Sequence, residues 1–244
     1  MIKTSWLIDT GDSVIVFASK LAGCIGMNKY VDKNDMIDEY NALRKSEAYK
    51  TVQEENTEKI KNMDVVDQVY INNIIGKEYD NVETLNKVLD SLTDKYKDTD
   101  LLNHIKSELY KKQGIKEEEN IRQHVATKNN IGILKNDKFI SHHMFTINNV
   151  DIRIGGRHDG LSSDGSIVEI KNRMNRFLGV PLYELVQIHA YMVIFGAKQS
   201  IHVENYMGET RETVIPFDAE FWDDVHSSLF NLFNQLMIGL SEGG

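Results

Sequence analysis

A chain of 244 residues, 41% hydrophobic and 27% charged, is ordinary for a globular protein and long enough for one large domain or one domain with a helical elaboration. Its one cysteine, Cys24, excludes internal disulfides, cysteine-based zinc modules and iron–sulfur centres, and its net charge of −9 argues weakly against coating nucleic acid through bulk electrostatics. No apolar run approaches a membrane span, and Met1–Trp6 lacks the apolar core of a signal peptide, so a soluble, intracellular protein is expected.

Taken along the chain, residues 19–120 read as mainly helical, 121–216 as the sheet-bearing part and 217–244 as a closing helix, all within one domain. Ser19 suits the cap of a short helix through Leu21, Ala22 and Ile25, which Gly26 would end. From Asp35 to Asp98 there is no proline, and apolar residues recur at helical spacing in Ile71, Ile74 and Ile75 and again in Leu85, Val88, Leu89 and Leu92, which predicts several helices. Acidic runs such as Glu117-Glu118-Glu119 read as solvated helix faces. Phe139–Ile147 and Val150–Ile154 alternate as paired strands joined at Asn148-Asn149. Past a further strand at Ile167–Lys171, Pro181 suits a first helical turn, and Leu182, Leu185, Val186, Ala190, Val193 and Ile194 form an apolar stripe that ends near Gly196. Strands over Ile201–Tyr206 and Glu212–Ile215 precede a helix starting near Asp218 with Phe221, Trp222, Val225, Leu229, Leu232, Phe233 and Leu236 inward. The order predicts the α/β class: a mixed sheet flanked by helices.

The stretch richest in chemistry is Gly156-Arg157-His158-Asp159-Gly160, followed by Glu169-Ile170-Lys171. Side chains alternate along Ile167–Lys171, so Glu169 and Lys171 share one face while Val168 and Ile170 share the other. A hairpin closing at Ser163-Asp164-Gly165 would bring Glu169 back beside Asp159. Two carboxylates with an ammonium beside them can hold a divalent cation against a phosphodiester. The basic residues Arg153, Arg157, Lys171, Arg173 and Arg176 cluster around them. Gln187 and Tyr191, at i and i+4 on one helix face, are either a satisfied core edge or part of the site.

Together, Ala18-Ser19 with Gly26–Tyr30, then Gly76–Asn81, His158–Leu161, Ser163–Gly165, Glu169–Lys171 and Gln187–Tyr191 resemble, in order, the motifs of the phage lambda exonuclease and YqaJ viral recombinase family of the PD-(D/E)xK nuclease superfamily. That resemblance spans roughly residues 12 to 240 and implies a restriction-endonuclease-like core with a helical elaboration near the N-terminus. It implies a Mg²⁺-dependent deoxyribonuclease, with Mn²⁺ able to substitute, and metal held by Asp80, Asp159, Glu169 and the Ile170 carbonyl. Lys171 would orient or deprotonate the attacking water, Gln187 and Tyr191 would line the groove, and Ser19, Arg157, Arg173 and Arg176 would meet DNA. It further implies 5′-to-3′ digestion of linear duplex DNA in viral or phage recombination, hence a host cytoplasmic or nuclear location, a single-strand annealing partner and a ring of three subunits.

The chain departs from the pattern at two places. The family usually has glutamate where Asp80 stands, and Glu83, one turn on, is an alternative third ligand; the arginine that would hold a 5′ phosphate is replaced by Asp12, leaving Lys20, Arg44 or Arg153 as substitutes. Endonuclease or single-strand activity within the superfamily, and a catalytically weak DNA-binding scaffold, stay open. The adjacent His142 and His143 point to opposite strand faces and make a poor metal pair, and His158 is either a packing residue or a DNA contact.

Overall fold

A computed structural model describes residues 2–45, 52–79, 82–135 and 138–241. The chain divides into two compact units, residues 1–47 with 121–244, and residues 48–120. The first unit opens with strands β1 (Ile2–Lys3), β2 (Leu7–Asp9) and β3 (Ser13–Phe17), none of which the local pattern announced, followed by helices α1 (Ala18–Cys24) and α2 (Lys33–Lys45). Phe17 is the residue that precedes α1 in extended conformation, so Ser19 lies inside the first turn and not at the cap.

The second unit holds α3 (Val52–Asn62), α4 (Val65–Gly76), α5 (Val82–Lys95) and the start of α6 (Thr99–Asn129). Its division from the rest has a local cause: Ile71, Leu85, Leu92, Leu101, Ile105 and Leu109 bury one another in an apolar cluster of their own. Asp64 caps α4 by accepting from the Val66 and Asp67 N–H groups, and Asp98 does the same for α6 through Asp100 and Leu101.

Back in the first unit the chain forms β4 (Ile133–Leu134), β5 (Ile140–Ile147), β6 (Val150–Gly156), β7 (Gly160–Ser162), β8 (Ile167–Asn172), α7 (Leu182–Phe195), β9 (Gln199–Tyr206), β10 (Glu209–Pro216) and α8 (Ala219–Ser241). The class is mixed α/β, as expected, but among the described residues the strands sort into two five-stranded sheets, ordered β1-β2-β3-β6-β5 and β10-β9-β8-β7-β4. Each contains one parallel pair, β3 with β6 and β8 with β9, among antiparallel neighbours. Asn148 and Asn149 both take positive φ in the β5–β6 turn, the conformation a two-residue hairpin requires and asparagine tolerates. Helix α7 follows Pro181 and stops at Gly196 in the left-handed conformation. Among the described residues no helix is long and apolar enough to cross a membrane.

Helix α7 is buried along most of its length and packs against strands of both sheets. Its apolar residues Val186, Ile188, Ala190, Met192 and Ile194 join Trp6, Leu7, Val16, Ile154, Val225 and Phe233 in the main core. Close approach is possible because β6 ends in Gly155-Gly156: a Cβ on Gly156 would stand 2.6 Å from a Tyr191 ring carbon and 3.3 Å from the Ala18 Cβ. The far face of β8, Val168 and Ile170, packs on Ile121 and Val125 at the end of α6. Strand β8 is thus covered on both faces, and only its end beyond β7 stands open for chemistry.

Candidate active site

Strand β7 pairs with β8 over only two positions, Gly160 with Val168 and Leu161 with Ile167. Past that point Asp159 leaves the ladder and its side chain replaces the missing strand: Asp159 Oδ2 accepts the Ile170 N–H at 2.7 Å. Because the N–H and C=O of one strand residue point to the same edge, the Ile170 carbonyl also faces Asp159. The Ser163-Asp164-Gly165 turn makes this return possible, with Gly165 at φ +84° and the Asp164 carboxylate accepting from the Ser166 N–H.

Glu169 and Lys171 point toward α7, on the face opposite Val168 and Ile170. There Lys171 Nζ donates to Glu169 Oε1 at 2.8 Å and to Gln187 Oε1 at 3.1 Å, while Gln187 Nε2 donates to the same Glu169 oxygen at 2.9 Å and to the Tyr191 hydroxyl at 3.1 Å. The i, i+4 pair on α7 therefore belongs to the network and is not a detached core edge. Glu169 is 3% exposed, which decides its chemistry: a carboxylate this deep needs cations or donors to remain ionised.

The titration shifts follow from that packing. Burial raises the Asp159 carboxyl above its ordinary range, against the pull of the Ile170 N–H, Lys171 and Arg122. Burial alone would lower the Lys171 ammonium, but Glu169 beside it, with Asp159 and Glu184 beyond, raises it overall, so the side chain is a cation. The Tyr191 phenol is raised by burial and by the charges of Glu169 and Asp159, which places both carboxylates in its field.

The Asp159 and Glu169 carboxylates and the Ile170 carbonyl would offer an all-oxygen donor set of the kind that suits a hard cation such as Mg²⁺ or Mn²⁺. The raised Asp159 carboxyl fits this too, since it marks a buried acid lacking full compensation. Among the described residues no group of three or more His, Cys, Asp or Glu gathers as a metal cluster. Asp80 lies outside the described residues. Glu83 is an exposed residue of α5 in the helical unit, paired with Lys87 at 2.9 Å.

The expected DNA contacts separate. Arg157 is exposed, and close enough to Tyr191 for its charge to act on the phenol. Arg176 is exposed on the segment between β8 and α7, and Ser19 is exposed on α1. Arg173 is different. Its guanidinium donates to Glu184 at 2.6 and 2.7 Å and to Glu204 at 2.6 Å, and the side chain is 8% exposed. It is bound up inside the protein, where a bidentate carboxylate takes the place a phosphate was expected to fill. His158 is buried and packs edge-on against Phe195, ring centroids 4.4 Å apart, so its role is packing. His142 and His143 are exposed on β5.

Other contributors escaped the sequence pattern. Arg122, buried near the end of α6, donates to the Asp159 carbonyl at 2.7 Å and fixes the backbone at that residue. Glu184, His202 and Glu204 surround Arg173, with His202 Nε2 2.9 Å from Glu184 Oε2. Burial pushes the Glu184 carboxyl up, but the hydrogen bonds from His202 and Arg173 outweigh it and hold it down at about 2. Glu204 also accepts from the Leu178 and Gly179 N–H groups, pinning the β8–α7 connection. Only an adjacency of polar residues at strand ends hints at this in the sequence.

No family model matches the chain, and no curated protein does. Solved structures to which it is similar include SSO0001, with 15% identity over 72% of this chain and 87% of that one at a TM-score of 0.44. An alkaline exonuclease, LHK-Exo from Laribacter hongkongensis, is 14% identical over 93% of this chain and 90% of that one at a TM-score of 0.46. The same enzyme in complex with dAMP gives 12% identity, the same coverage and a TM-score of 0.47. Likeness this distant bears on neither the reaction nor the residues.

Proposed function

We propose that the chain is a metal-dependent deoxyribonuclease that acts as a 5′-to-3′ exonuclease on linear duplex DNA, works as a ring of three subunits and hands a 3′ single strand to an annealing protein. The observation that supports the hydrolase reading is the hydrogen-bonded Glu169–Lys171–Gln187–Tyr191 network, with Asp159 fastened to Ile170 at the open end of β8. The motif order supports the finer reading.

A Mg²⁺ or Mn²⁺ ion held by Asp159, Glu169 and the Ile170 carbonyl would supply Lewis-acid stabilisation of charge on the phosphate oxygens and acidify a bound water. The chain's own groups do the rest. Lys171, protonated beside Glu169, acts as a hydrogen-bond donor that orients the nucleophile and offsets phosphate charge; the raised ammonium makes it a poor base. Gln187 fixes the Lys171 and Glu169 side chains against each other, and Tyr191 closes the inner wall. Arg157 and Arg176, both exposed, are the cations available to neighbouring phosphates.

The test is DNA hydrolysis on linear duplex, circular plasmid and single-stranded substrates with Mg²⁺, with Mn²⁺ and with chelator. Activity is expected on linear duplex, abolished by chelator, and reduced by Asp159→Asn, Glu169→Gln and Lys171→Ala by on the order of 10²–10³ each. Retention of more than about a tenth of the wild-type rate in all three variants would remove the site assignment. Cleavage of closed circles would replace the exonuclease with an endonuclease. With Asp12 in place of the arginine, a weaker preference for 5′-phosphoryl over 5′-hydroxyl ends is expected than the resemblance implies; a strong preference for the phosphate would mean that Lys20, Arg44 or Arg153 has taken that role.

A further inference from the structure

Helix α7 carries a polar stripe that leads out of the site. Tyr191, Gln187 and Tyr183 follow one another at intervals of four residues and share a helix face. Exposure rises along it: Tyr191 is buried, and Gln187 and Tyr183 are half-buried. Tyr183 then meets Tyr30, edge to face, with ring centroids 6.0 Å apart. Tyr30 sits in the turn after α1 and is 73% exposed. That turn is built: the Asn28 side chain accepts the Tyr30 N–H at 3.1 Å, and the Val31 N–H returns to the Asn28 carbonyl at 3.2 Å. Lys29 places its ammonium 5.1 Å from the Tyr30 ring centre.

An exposed tyrosine on a braced turn, continuous with a catalytic network and carrying its own cation, has a specific use in a protein that handles DNA. From this geometry we infer that Tyr30 is a stacking platform for an unpaired nucleobase of the strand lying in the site, with Lys29 serving the adjoining phosphate. A base has a π-face whatever its identity, so the contact is indifferent to sequence; the ammonium beside the ring adds the charge that a polynucleotide requires. Tyr183 braces the ring from the α7 side. The stripe that joins this lysine–tyrosine pair, through Tyr183, to Gln187 and Tyr191 favours the strand held in that site over a protein partner as its occupant. The inference rests on the nuclease reading above.

The test compares wild type with Tyr30→Ala, Tyr30→Phe and Lys29→Gln. Single-stranded oligonucleotide carrying 2-aminopurine is titrated in chelator to give quenching and affinity, and hydrolysis in Mg²⁺ gives kcat and KM separately. Tyr30→Ala is expected to lose the quench and raise Kd and KM about tenfold with kcat unchanged, the size of one base–aromatic stack. Tyr30→Phe, which keeps the ring, is expected to match wild type, and Lys29→Gln to flatten the salt dependence of Kd. Equal KM and quench in Tyr30→Ala and wild type overturn the platform, as does equal impairment of the Ala and Phe variants. Loss of self-association by light scattering with oligonucleotide affinity intact would make Tyr30 a subunit contact instead. A wild-type chain that neither binds the oligonucleotide nor cuts DNA overturns the nuclease reading, and the platform with it, so the two failures are distinguishable.

Discussion

Asp159 is held by a single backbone N–H and stabilised at a distance by Lys171 and Arg122, yet burial still raises its carboxyl. The sign of its contribution follows: an acid whose folded value lies above its unfolded one stabilises the fold at low pH and loses that stability as pH rises through the folded value. At neutral pH, without cation, the Asp159 carboxyl is therefore a cost to the fold. Asp159→Asn keeps the acceptor for Ile170 and removes the charge, so in chelator at neutral pH the variant should melt above wild type. Added Mg²⁺ should raise the wild-type Tm and leave the variant unmoved; an equal metal response in both would take Asp159 out of the ligand set. Gly156 offers a second check at this scale. A methyl there must displace the Tyr191 ring or strain β6, since 2.6 Å is closer than carbon atoms approach. Gly156→Ala is expected to cost about 1–3 kcal/mol in denaturant unfolding and to lower the hydrolysis rate through Tyr191. A stable variant with a normal rate would mean that the Tyr191 position is not needed.

At the scale of elements, the connection from β8 to α7 is secured by one ion cluster. Arg173 joins Glu184 at the start of α7 to Glu204 on β9, and Glu204 holds the Leu178 and Gly179 N–H groups. Breaking a buried pair by removing one partner typically costs more than the pair contributes, because the other charge stays buried. Glu184→Gln should therefore destabilise the protein at neutral pH. Its carboxyl is held at about 2 against an ordinary 4.5, so the stability it contributes is present above the upper value and lost as pH falls through that window. Urea midpoints of wild type and Glu184→Gln should differ most at neutral pH and converge toward pH 2; a constant gap would assign the loss to packing and not to charge. This cluster also explains what the sequence could and could not disclose. The β5–β6 hairpin, the Gly196 stop and the Asp218 cap, which accepts the Phe221 N–H, are each written within a few residues, as turn or cap chemistry. The alternation at Ile167–Lys171 and the return to Asp159 were legible for the same reason. Arg173 was misplaced because its partners lie 11 and 31 residues away. Strand β3 is not legible locally because it is five residues long and its partner β6 comes only after the helical unit in the sequence. Local signals name turns and faces; which charge is buried by which depends on the closed fold.

For the whole molecule the deciding quantity is charge. A chain at −9 has no surplus with which to hold a polyanion over many cuts, and its exposed cations near the site, Lys29, Arg157 and Arg176, are few. If those three carry the phosphate contacts, log Kobs should fall with log salt at a slope of about −3, far shallower than for a basic DNA-binding protein. Weak contact of that kind is compatible with processive digestion only if the strand is prevented from leaving by enclosure. A closed ring of head-to-tail contacts provides this without added affinity. A trimer of the 28.0 kDa chain would weigh about 84 kDa, which light scattering at micromolar concentration reads directly. The two properties can be set against each other: digestion of a long linear duplex is started at low salt, then challenged with salt high enough to block fresh binding. An enclosing trimer is expected to finish the molecules it has begun. A monomer by mass whose digestion stops at once on the salt challenge would exclude the ring, and a trimer that stops just as fast would show that its subunits do not surround the DNA.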